Sequence, residues 1–415
     1  MGLIAAALCA CGQNKKETCD YPFFKGAWIA IRDNYIVQPV KEKEMFSGAL
    51  NAAGFELQRD LPLPNYDRDP HYTPANLWLH YLSLTNKSPD VNMCRTMIGG
   101  MVKSLQSRHS SYLTPAEISA IDEMTPTEAG GVRILMRKDG AQAPAIVYKV
   151  LKNSEAYCHG LELGDEILEI DGISVNNLRA SDLHSLLRGK IGSIVEMTIK
   201  KTDGRTGQVF LPREKADTNV FCDHLPQNIA YCAIVNFNED QDTKKVFAFE
   251  LDNKTKFHAS KRIILDLRFN LGGSVDQALF IAGLRIGTRP IVIEKKKGQS
   301  IELKAAGQPL LKKGKMVILV NGQTASVSEL LTAAVQDYGL ATVVGERTYG
   351  KSELQYDFKL KDGSKIRLVM SHWVTMRGQN INGVGITPDF FIETTTEDLL
   401  SGRDPQLEAA IDLLK

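Results

Sequence analysis

The sequence predicts a multidomain α/β protein with an N-terminal helical region, then a β-rich domain, then an α/β domain. Three observations lead to this prediction. The chain has 415 residues, enough for about two to four domains of ordinary size. Its first part repeats apolar residues at helical spacing, and short β-rich runs separated by glycine and aspartate follow. In the last part, strand patterns alternate with helix patterns, which is typical of an α/β layer.

Composition excludes several classes of protein. The chain has 50 Lys and Arg against 49 Asp and Glu, a net charge of +1, and no basic block. Neutralising phosphates requires clustered Lys and Arg, so no nucleic-acid partner is expected. Hydrophobic residues make up 43% of the chain, which excludes wholesale disorder. After residue 16, no run reaches the ~18 apolar residues of a membrane-spanning helix.

The first residues resemble a bacterial lipoprotein signal. Residues 3–10 are apolar, the segment 8–11 fits cleavage before Cys11, and polar residues follow. An acylated cysteine would anchor the chain to a membrane. No Lys or Arg precedes the apolar run. Either the start codon is misassigned and the true n-region is longer, or the apolar residues at the start are a coincidence. We expect residues 1–20 to be the signal and tether of an exported bacterial lipoprotein that faces the periplasm.

Residues 21–127 are predicted to be mostly helical. Apolar residues recur at positions i, i+3, i+4 and i+7 in residues 23–37 and 93–113, with a Pro- and Asp-rich loop over 61–74 between them. A further helix is expected to begin after Thr114, which is an N-cap residue followed by proline.

Residues 128–215 are predicted to form short strands and one helix over 181–189. Within them, residues 160–175 place Gly-Leu, Gly-Asp and Asp-Gly pairs around two short strands, in the manner of a PDZ domain. A generic β-rich domain is the alternative. PDZ domains add an extended peptide beside an edge strand and hold its terminal carboxylate with backbone amides. The resemblance gives this peptide-binding role to Gly130, Gly131, Val132, Arg133 and Ile134, which face the helix.

Residues 216–400 alternate strands and helices, and residues 401–415 form a terminal amphipathic helix that starts at Asp404-Pro405. Cys222 and Cys232 flank a short turn-like stretch. They are either a disulfide pair or two small buried apolar residues, and the sequence leaves both interpretations open.

Three segments of this α/β domain carry chemistry. Residues 263–274 end a strand at a Gly-Gly pair, whose backbone amides can point at a ligand. Residues 316–331 place Ser326 at a helix start, beside unpaired N–H groups suited to an oxyanion. Residues 341–355 place Lys351 after a strand, between glycine and serine.

A serine hydroxyl needs a base before it becomes a good nucleophile. A lysine is ordinarily protonated, with a pKa of ~10.4, but burial disfavours its charged form. Lys351 is therefore a candidate general base for Ser326 in a Ser-Lys arrangement. His372 is the alternative base, although a histidine bonded to the backbone is the commoner explanation of such a residue. No histidine pair has the spacing of a metal site, so neither a metal nor a cofactor is expected.

Four motifs now carry a family resemblance: DLRFNLGG, NGQTASVSELLTAAVQDYG, VVGERTYGKSELQ and GVGITPDF, in this order behind the PDZ-like region. Together they resemble the C-terminal processing (tail-specific) serine proteases. The resemblance implies a catalytic domain of the ClpP/crotonase-like type. It also implies the roles of five residues: Ser326 as nucleophile, Lys351 as base, Gln355 to position that lysine, and Gly272 and Val327 as amide donors to the oxyanion.

Some residues depart from the family pattern. Leu271 stands where proline usually precedes the Gly-Gly pair, and Glu155 and His159 replace small apolar residues of the PDZ-like region. The helical region also carries a long insertion, roughly residues 51–92. These changes leave the expected catalytic residues intact and bear on substrate preference and gating.

The resemblance implies a serine endopeptidase that cleaves exported proteins at or near their C-terminal tails. The PDZ-like domain would capture the tail and gate activity. The expected partners are proteins or peptides with accessible C-terminal tails, a helical adaptor protein, and a membrane reached through the lipid anchor. The alternative is a catalytically idle, protease-like scaffold that recruits peptide tails.

Overall fold

The computed structural model describes residues 20–36, 40–64, 72–124, 129–138, 140–151, 154–178, 180–215, 219–237, 243–245, 247–248, 261–307, 309, 311 and 314–415. The expectations for residues 1–19, including Cys11, lie outside the described residues. The chain divides into two compact units. The first unit lies within Met1–Ala120 and Gln355–Met370, and the second within Ile121–Leu354 and Ser371–Lys415.

In chain order, the described helices are α1 (Tyr21–Asn34), α2 (Glu42–Glu56), α3 (Pro74–Thr85), α4 (Val91–Ser104), α5 (Pro115–Met124), α6 (Glu155–Cys158), α7 (Ala180–Leu187), α8 (Val275–Ile286), α9 (Val327–Asp337), α10 (Thr396–Leu400) and α11 (Pro405–Leu413). None of these helices is both long enough and apolar enough to cross a bilayer.

The described strands, in chain order, are β1 (Ser111–Leu113), β2 (Ala129–Gly130), β3 (Ile134–Arg137), β4 (Ala145–Val150), β5 (Glu166–Ile170), β6 (Ile173–Ser174), β7 (Gly189–Lys190), β8 (Ile194–Lys200), β9 (Thr206–Pro212), β10 (Val220–Leu225), β11 (Ile229–Ile234), β12 (Arg262–Asp266), β13 (Pro290–Lys296), β14 (Gln299–Lys304), β15 (Lys315–Val320), β16 (Thr342–Gly345), β17 (Glu353–Lys359), β18 (Lys365–Thr375) and β19 (Phe390–Phe391).

The first unit is a helical layer with its own apolar core. Trp28, Phe24 and Phe46 are completely buried in it, together with Ile366 and Leu368 of β18. The predicted helical region is therefore confirmed, and residues far along the chain complete its core. Burying large aromatic side chains supplies most of the stabilisation of such a layer.

One helix of this unit is shorter than predicted. The pattern over 93–113 predicts a continuous helix, but α4 ends at Ser104, and Ser111–Leu113 forms β1, which pairs with β18. Pairing with a distant strand here overrides local periodicity, which the sequence alone does not reveal. The next helix begins as predicted, and the Glu117 carboxylate accepts hydrogen bonds from the backbone and hydroxyl of Thr114.

The second unit contains the β-rich domain, which we define as residues 129–215. Its sheet has the order β3-β4-β5-β8-β9, so β3 is an edge strand. Leu183 and Leu187 of α7 are buried in the same core as Met136 of β3. The single strand predicted over 130–136 is interrupted, because β2 pairs with β7 and Arg133 adopts a φ of 51° before β3 begins.

The rest of the second unit is the α/β domain, which we define as residues 219–415 without 355–370. Its sheet has the order β10-β11-β12-β15-β16-β19, in which only the β10–β11 pair is antiparallel. Helices α8 and α9 contribute to the core on one face, and Ala410 of α11 contributes to a smaller core on the other. The segments that follow β12, β15 and β16 leave the same edge of this parallel sheet, where such folds place ligands.

Two features of this domain go beyond the sequence prediction. The hairpin β13–β14 pairs through β13 with the second half of β18, a sheet that alternation alone did not indicate. Cys222 and Cys232 lie directly opposite each other on β10 and β11, with Cα atoms 4.1 Å apart, and form a disulfide bond. The interpretation of these two cysteines as unbonded buried residues is therefore wrong.

Helices α2 and α4 approach each other so closely that their glycines are required. A Cβ atom on Gly100 would lie 2.2 Å from the carbonyl oxygen of Gly48, whereas one on Gly26 of α1 would meet no atom within 4 Å. We expect Gly100→Ala to lower the free energy of unfolding by about 1–3 kcal/mol, because the helices must separate. The matched variant Gly26→Ala should raise it by about 0.5–1 kcal/mol, because alanine favours the helix. Urea unfolding measures both values, and equal effects would contradict this packing.

Candidate active site

Ser326 immediately precedes α9 and has an unusual backbone conformation. Its φ of 61° and ψ of −122° lie in a region that residues with a side chain rarely adopt. The backbone amide of Ser326 donates to Glu329 Oε2 at 2.9 Å. A strained serine at a sharp strand-to-helix turn is the geometry that exposes a nucleophile in other hydrolases.

Gly272 lies directly against this serine. A Cβ atom on Gly272 would be 2.8 Å from the Cβ of Ser326 and 3.2 Å from its Oγ, and the φ of Gly272 is 101°. Only glycine fits this space and this conformation. The Gly-Gly segment therefore lies in direct contact with Ser326.

Hydrogen bonds fasten the segments after β12 and β15 to each other. The carbonyl oxygen of Asn270 accepts from the Ala325 amide at 2.9 Å and from the Ser328 hydroxyl at 3.1 Å. The side-chain oxygen of Asn321 accepts from the Phe269 amide at 3.0 Å. The segments that carry Ser326 and Gly272 are thus held together by one backbone hydrogen bond and two side-chain hydrogen bonds.

The two expected oxyanion donors are in different states. The amide of Val327 has no hydrogen-bond partner among the described residues, as expected for the first residue of a helix. The amide of Gly272 donates to Asn270 Oδ1 at 2.9 Å. An oxyanion would have to displace that side-chain oxygen or share the Gly272 amide hydrogen with it.

Lys351 is brought to the same helix start by Glu329. The Lys351 amide donates to Glu329 Oε2 at 2.8 Å, the same oxygen that accepts from the Ser326 amide. The Gly350 amide donates to Oε1 at 2.7 Å, and the Thr348 hydroxyl donates to the same oxygen. Glu329 is fully buried, and burial raises its pKa, while these four hydrogen bonds act to lower it.

The three-residue spacing of Ser326 and Glu329 predicts a structural role for Glu329, as part of a capping box at the start of α9. The structure adds that it also joins the Lys351 segment, which the sequence spacing does not reveal. The only sequence signal was a carboxylate three residues after the serine.

The remaining candidate residues make contacts of their own. Gln355 belongs to the first unit, where its side-chain amide donates to the carbonyl of His109 at 3.0 Å, and its expected role beside Lys351 stays a prediction. His372 lies on β18 opposite Lys295 of β13. Leu271, which replaces the usual proline, is 66% exposed beside Gly272.

The predicted peptide-binding loop is partly occupied by its own domain. Gly130 pairs with Gly189, and the Gly131 amide donates to the carbonyl of Glu214 at 2.9 Å. Among the described residues, the amides of Val132 and Arg133 have no partner. These two amides lie at the entrance to edge strand β3, and their expected role in holding a terminal carboxylate stays a prediction.

A buried ionic cluster lies at the start of the Gly-Gly segment. Arg268 donates to Asp266 at 2.7 Å and 3.0 Å and to Asp404 at 2.8 Å and 3.0 Å. Burial opposes ionisation of Asp266, but Arg268 outweighs it and lowers the pKa of Asp266 to about 2. Asp266 and Arg268 thus brace this strand end, and Asp404, from far along the chain, adds a second carboxylate to the same guanidinium.

The chain is similar to known peptidases. The PDZ domain pattern matches residues 105–200, and the pattern of peptidase family S41 matches residues 228–392. A carboxyl-terminal-processing protease from Picosynechococcus sp. is 32% identical over 330 residues, 76% of this chain and 78% of the relative. A probable CtpA-like serine protease from Staphylococcus haemolyticus is 31% identical over 295 residues, 70% of this chain and 58% of that relative.

Solved structures share the fold. The photosystem II D1 C-terminal processing protease has a TM-score of 0.58 at 22% identity, and 95% of this chain and 97% of that one are covered. A putative S41 protease from Bacteroides fragilis has a TM-score of 0.57 at 15% identity, with 94% and 96% covered.

The fold and these matches define a serine peptidase that carries a PDZ domain. The chain belongs to peptidase family S41, with relatives that are carboxyl-terminal-processing proteases. The family and the architecture predicted from the sequence are confirmed. In the part of the chain that the structure describes, no group of three or more His, Cys, Asp or Glu side chains could hold a metal ion.

We expect Glu329→Gln to impair both stability and catalysis. An amide NH2 in place of one carboxylate oxygen would face buried donors, at a cost of about 1–3 kcal/mol in the free energy of unfolding. Because the carboxylate joins the Ser326 and Lys351 segments, kcat should fall about tenfold or more with little change in KM.

Urea unfolding and steady-state cleavage of a peptide measure these effects. The matched control is Glu302→Gln on the exposed face of β14, which should leave both quantities unchanged. Glu329→Gln kinetics equal to those of the control would contradict the proposed link.

Proposed function

We propose that the chain is an endopeptidase that cleaves proteins at or near their C-terminal tails with a Ser326–Lys351 dyad. The observation that carries the proposal is the strained backbone of Ser326 at a helix start, in direct contact with Gly272. The shared carboxylate of Glu329, which ties the Lys351 segment to the same helix, supports it further.

In this mechanism, Ser326 Oγ attacks the scissile carbonyl while the neutral amine of Lys351 takes the hydroxyl proton. The oxyanion is stabilised by the Val327 amide, and by the Gly272 amide once its bond to Asn270 opens. Lys351 then protonates the leaving amine, and a water molecule, activated by the same lysine, hydrolyses the acyl-enzyme. Gln355 orients Lys351 in this scheme.

The β-rich domain captures the substrate tail in this proposal and gates the site. Edge strand β3 takes the tail as an added strand, and the free amides of Val132 and Arg133 hold its carboxylate. The substrates are exported proteins with accessible tails, and a helical adaptor protein is a further partner. The lipoprotein-like pattern at Cys11 supports a membrane-anchored, periplasm-facing enzyme.

Ser326→Ala and Lys351→Met should each lower cleavage of an unfolded protein with an apolar C-terminus by about 10³-fold or more, because nucleophile and base act as a unit. Gel-based cleavage of reduced, carboxymethylated lactalbumin bearing an added apolar tail measures the rate. Ser300→Ala, on the exposed β13–β14 hairpin, is the control and should cleave like the wild type. Wild-type cleavage by either site variant would exclude the dyad, and an inactive wild type would favour the scaffold alternative.

The tail carboxylate should matter separately from the dyad. Amidation of the substrate C-terminus should raise KM about tenfold, because the Val132 and Arg133 amides then lose a charged acceptor. The control is a short peptide too small to reach both sites, whose cleavage should not respond to amidation. Equal KM values for the amidated and free-acid tail substrates would show that the Val132 and Arg133 amides do not bind the tail carboxylate.

A further inference from the structure

One face of the β-rich domain packs against the α/β domain within the second unit. The ring of Tyr148 on β4 lies 4.5 Å from the ring of Phe269, centroid to centroid. Tyr148 is buried there, and Leu135 of edge strand β3 packs in the same apolar cluster. Strand β4, the neighbour of the strand proposed to receive the substrate tail, therefore contacts the segment that ends at Gly272.

Phe269 has a strained backbone conformation within that segment. Its φ is 63°, a conformation that a phenylalanine adopts only when its surroundings enforce it. The next residue, Asn270, holds the Gly272 amide and the Ala325 amide. A shift of Phe269 is therefore passed directly to an expected oxyanion donor.

Lys149, the next residue of β4, contacts the other end of the same segment. Its Nζ lies 4.1 Å from the centroid of the Tyr231 ring and donates to the Tyr231 hydroxyl. That hydroxyl donates in turn to Asp266 Oδ2 at 2.6 Å, and Lys149 Nζ is 3.9 Å from the same oxygen. Only 21% of the Lys149 side chain is exposed.

The charge of Lys149 balances the buried cluster. The two carboxylates of Asp266 and Asp404 face the guanidinium of Arg268, which also lies over the Tyr148 ring at 4.9 Å. Without the ammonium of Lys149, this group of buried charges carries one negative charge in excess, which is unfavourable in a poorly hydrated site.

We propose that Lys149 and Tyr148 are positioning residues for the reaction at Ser326. From the strand beside the tail-binding edge, they contact residues 266–272 at Asp266 and at Phe269, and so set the place of the Gly272 amide. The inference rests on the proposed function and deepens it, because it names the contacts through which the β-rich domain acts on the catalytic centre.

The proposal has a signature in the pH dependence of activity. Burial lowers the pKa of Lys149 to about 8, although Asp266 raises it. The other groups that act on Lys149 are Arg268, Asp404 and Asp223, and Tyr231 lies against it. Above pH 8 the ammonium loses its proton and its attraction to Asp266, so the Lys149 contribution to kcat is present below this pH and lost above it.

The test uses the full chain and a tailed, unfolded substrate, reduced and carboxymethylated lactalbumin, over pH 6 to 10. We expect Lys149→Met to lower kcat about tenfold at pH 7 with KM changed less than about twofold. It should also lack the component of kcat lost above pH 8. Lys149→Arg keeps the charge at every pH and should restore kcat to within about threefold, without that loss.

Two further variants keep the inference falsifiable. Lys200→Met removes an exposed lysine of β8 in the same domain and should match the wild type in kcat and pH profile. Tyr231→Phe removes the hydroxyl between Lys149 and Asp266 and should lower kcat even if Lys149→Met does not fold.

The possible results separate the inference from the proposed function. Cleavage by Ser326→Ala would overturn the function itself. An inactive Ser326→Ala together with Lys149 variants that behave like Lys200→Met would overturn only the positioning role. A change in KM alone, or an alkaline loss that persists unchanged in Lys149→Arg, would also overturn it.

Discussion

A single buried carboxylate, that of Glu329, holds the segments that carry Ser326 and Lys351 together. Glu329 accepts backbone hydrogen bonds from the segments that carry Ser326 and Lys351, two segments that leave different strands of the sheet. Burying a carboxylate is unfavourable unless its oxygens accept hydrogen bonds. Here the donors lie at the helix start that carries Ser326 and in the segment that carries Lys351. The stability of α9 and the geometry of the site therefore depend on the same interaction. A change that frees this carboxylate would loosen both at once.

Much of the site could be predicted because its signals are local. One signal is a strand that ends at a Gly-Gly pair, and the other is a serine at a helix start. Each is contained within a short stretch of sequence, and backbone geometry explains why those residues are needed there. The same holds for the helix that begins after Thr114. The sequence could not show that the Gly272 amide donates a hydrogen bond to the Asn270 side chain, because that contact depends on the conformation of the loop between them.

The other features that the sequence did not predict depend on contacts between distant parts of the chain. Strand β1 lies inside a pattern with helical periodicity, yet pairing with β18 decides its structure. Likewise, Cys222 and Cys232 are bonded because the register of β10 and β11 places them opposite each other, and register cannot be read from spacing alone. The peptide-binding role of the loop that begins at Gly130 stays a prediction, and the Gly131 amide already donates to the carbonyl of Glu214.

The hydrogen bond between Asn270 Oδ1 and the Gly272 amide has a consequence for selectivity. In the proposed mechanism, the Asn270 side-chain oxygen, which is chemically much like a peptide oxygen, occupies an amide that the substrate oxyanion needs. The protein then carries its own competitor for that donor. An incoming carbonyl oxygen must displace the Asn270 side-chain oxygen from the Gly272 amide. A peptide that binds only briefly does this poorly. A chain already held elsewhere on the enzyme presents its carbonyl at high effective concentration and wins that competition. Discrimination against bystander proteins can then arise from the duration of the encounter, with no demand on the side chains that surround the scissile bond.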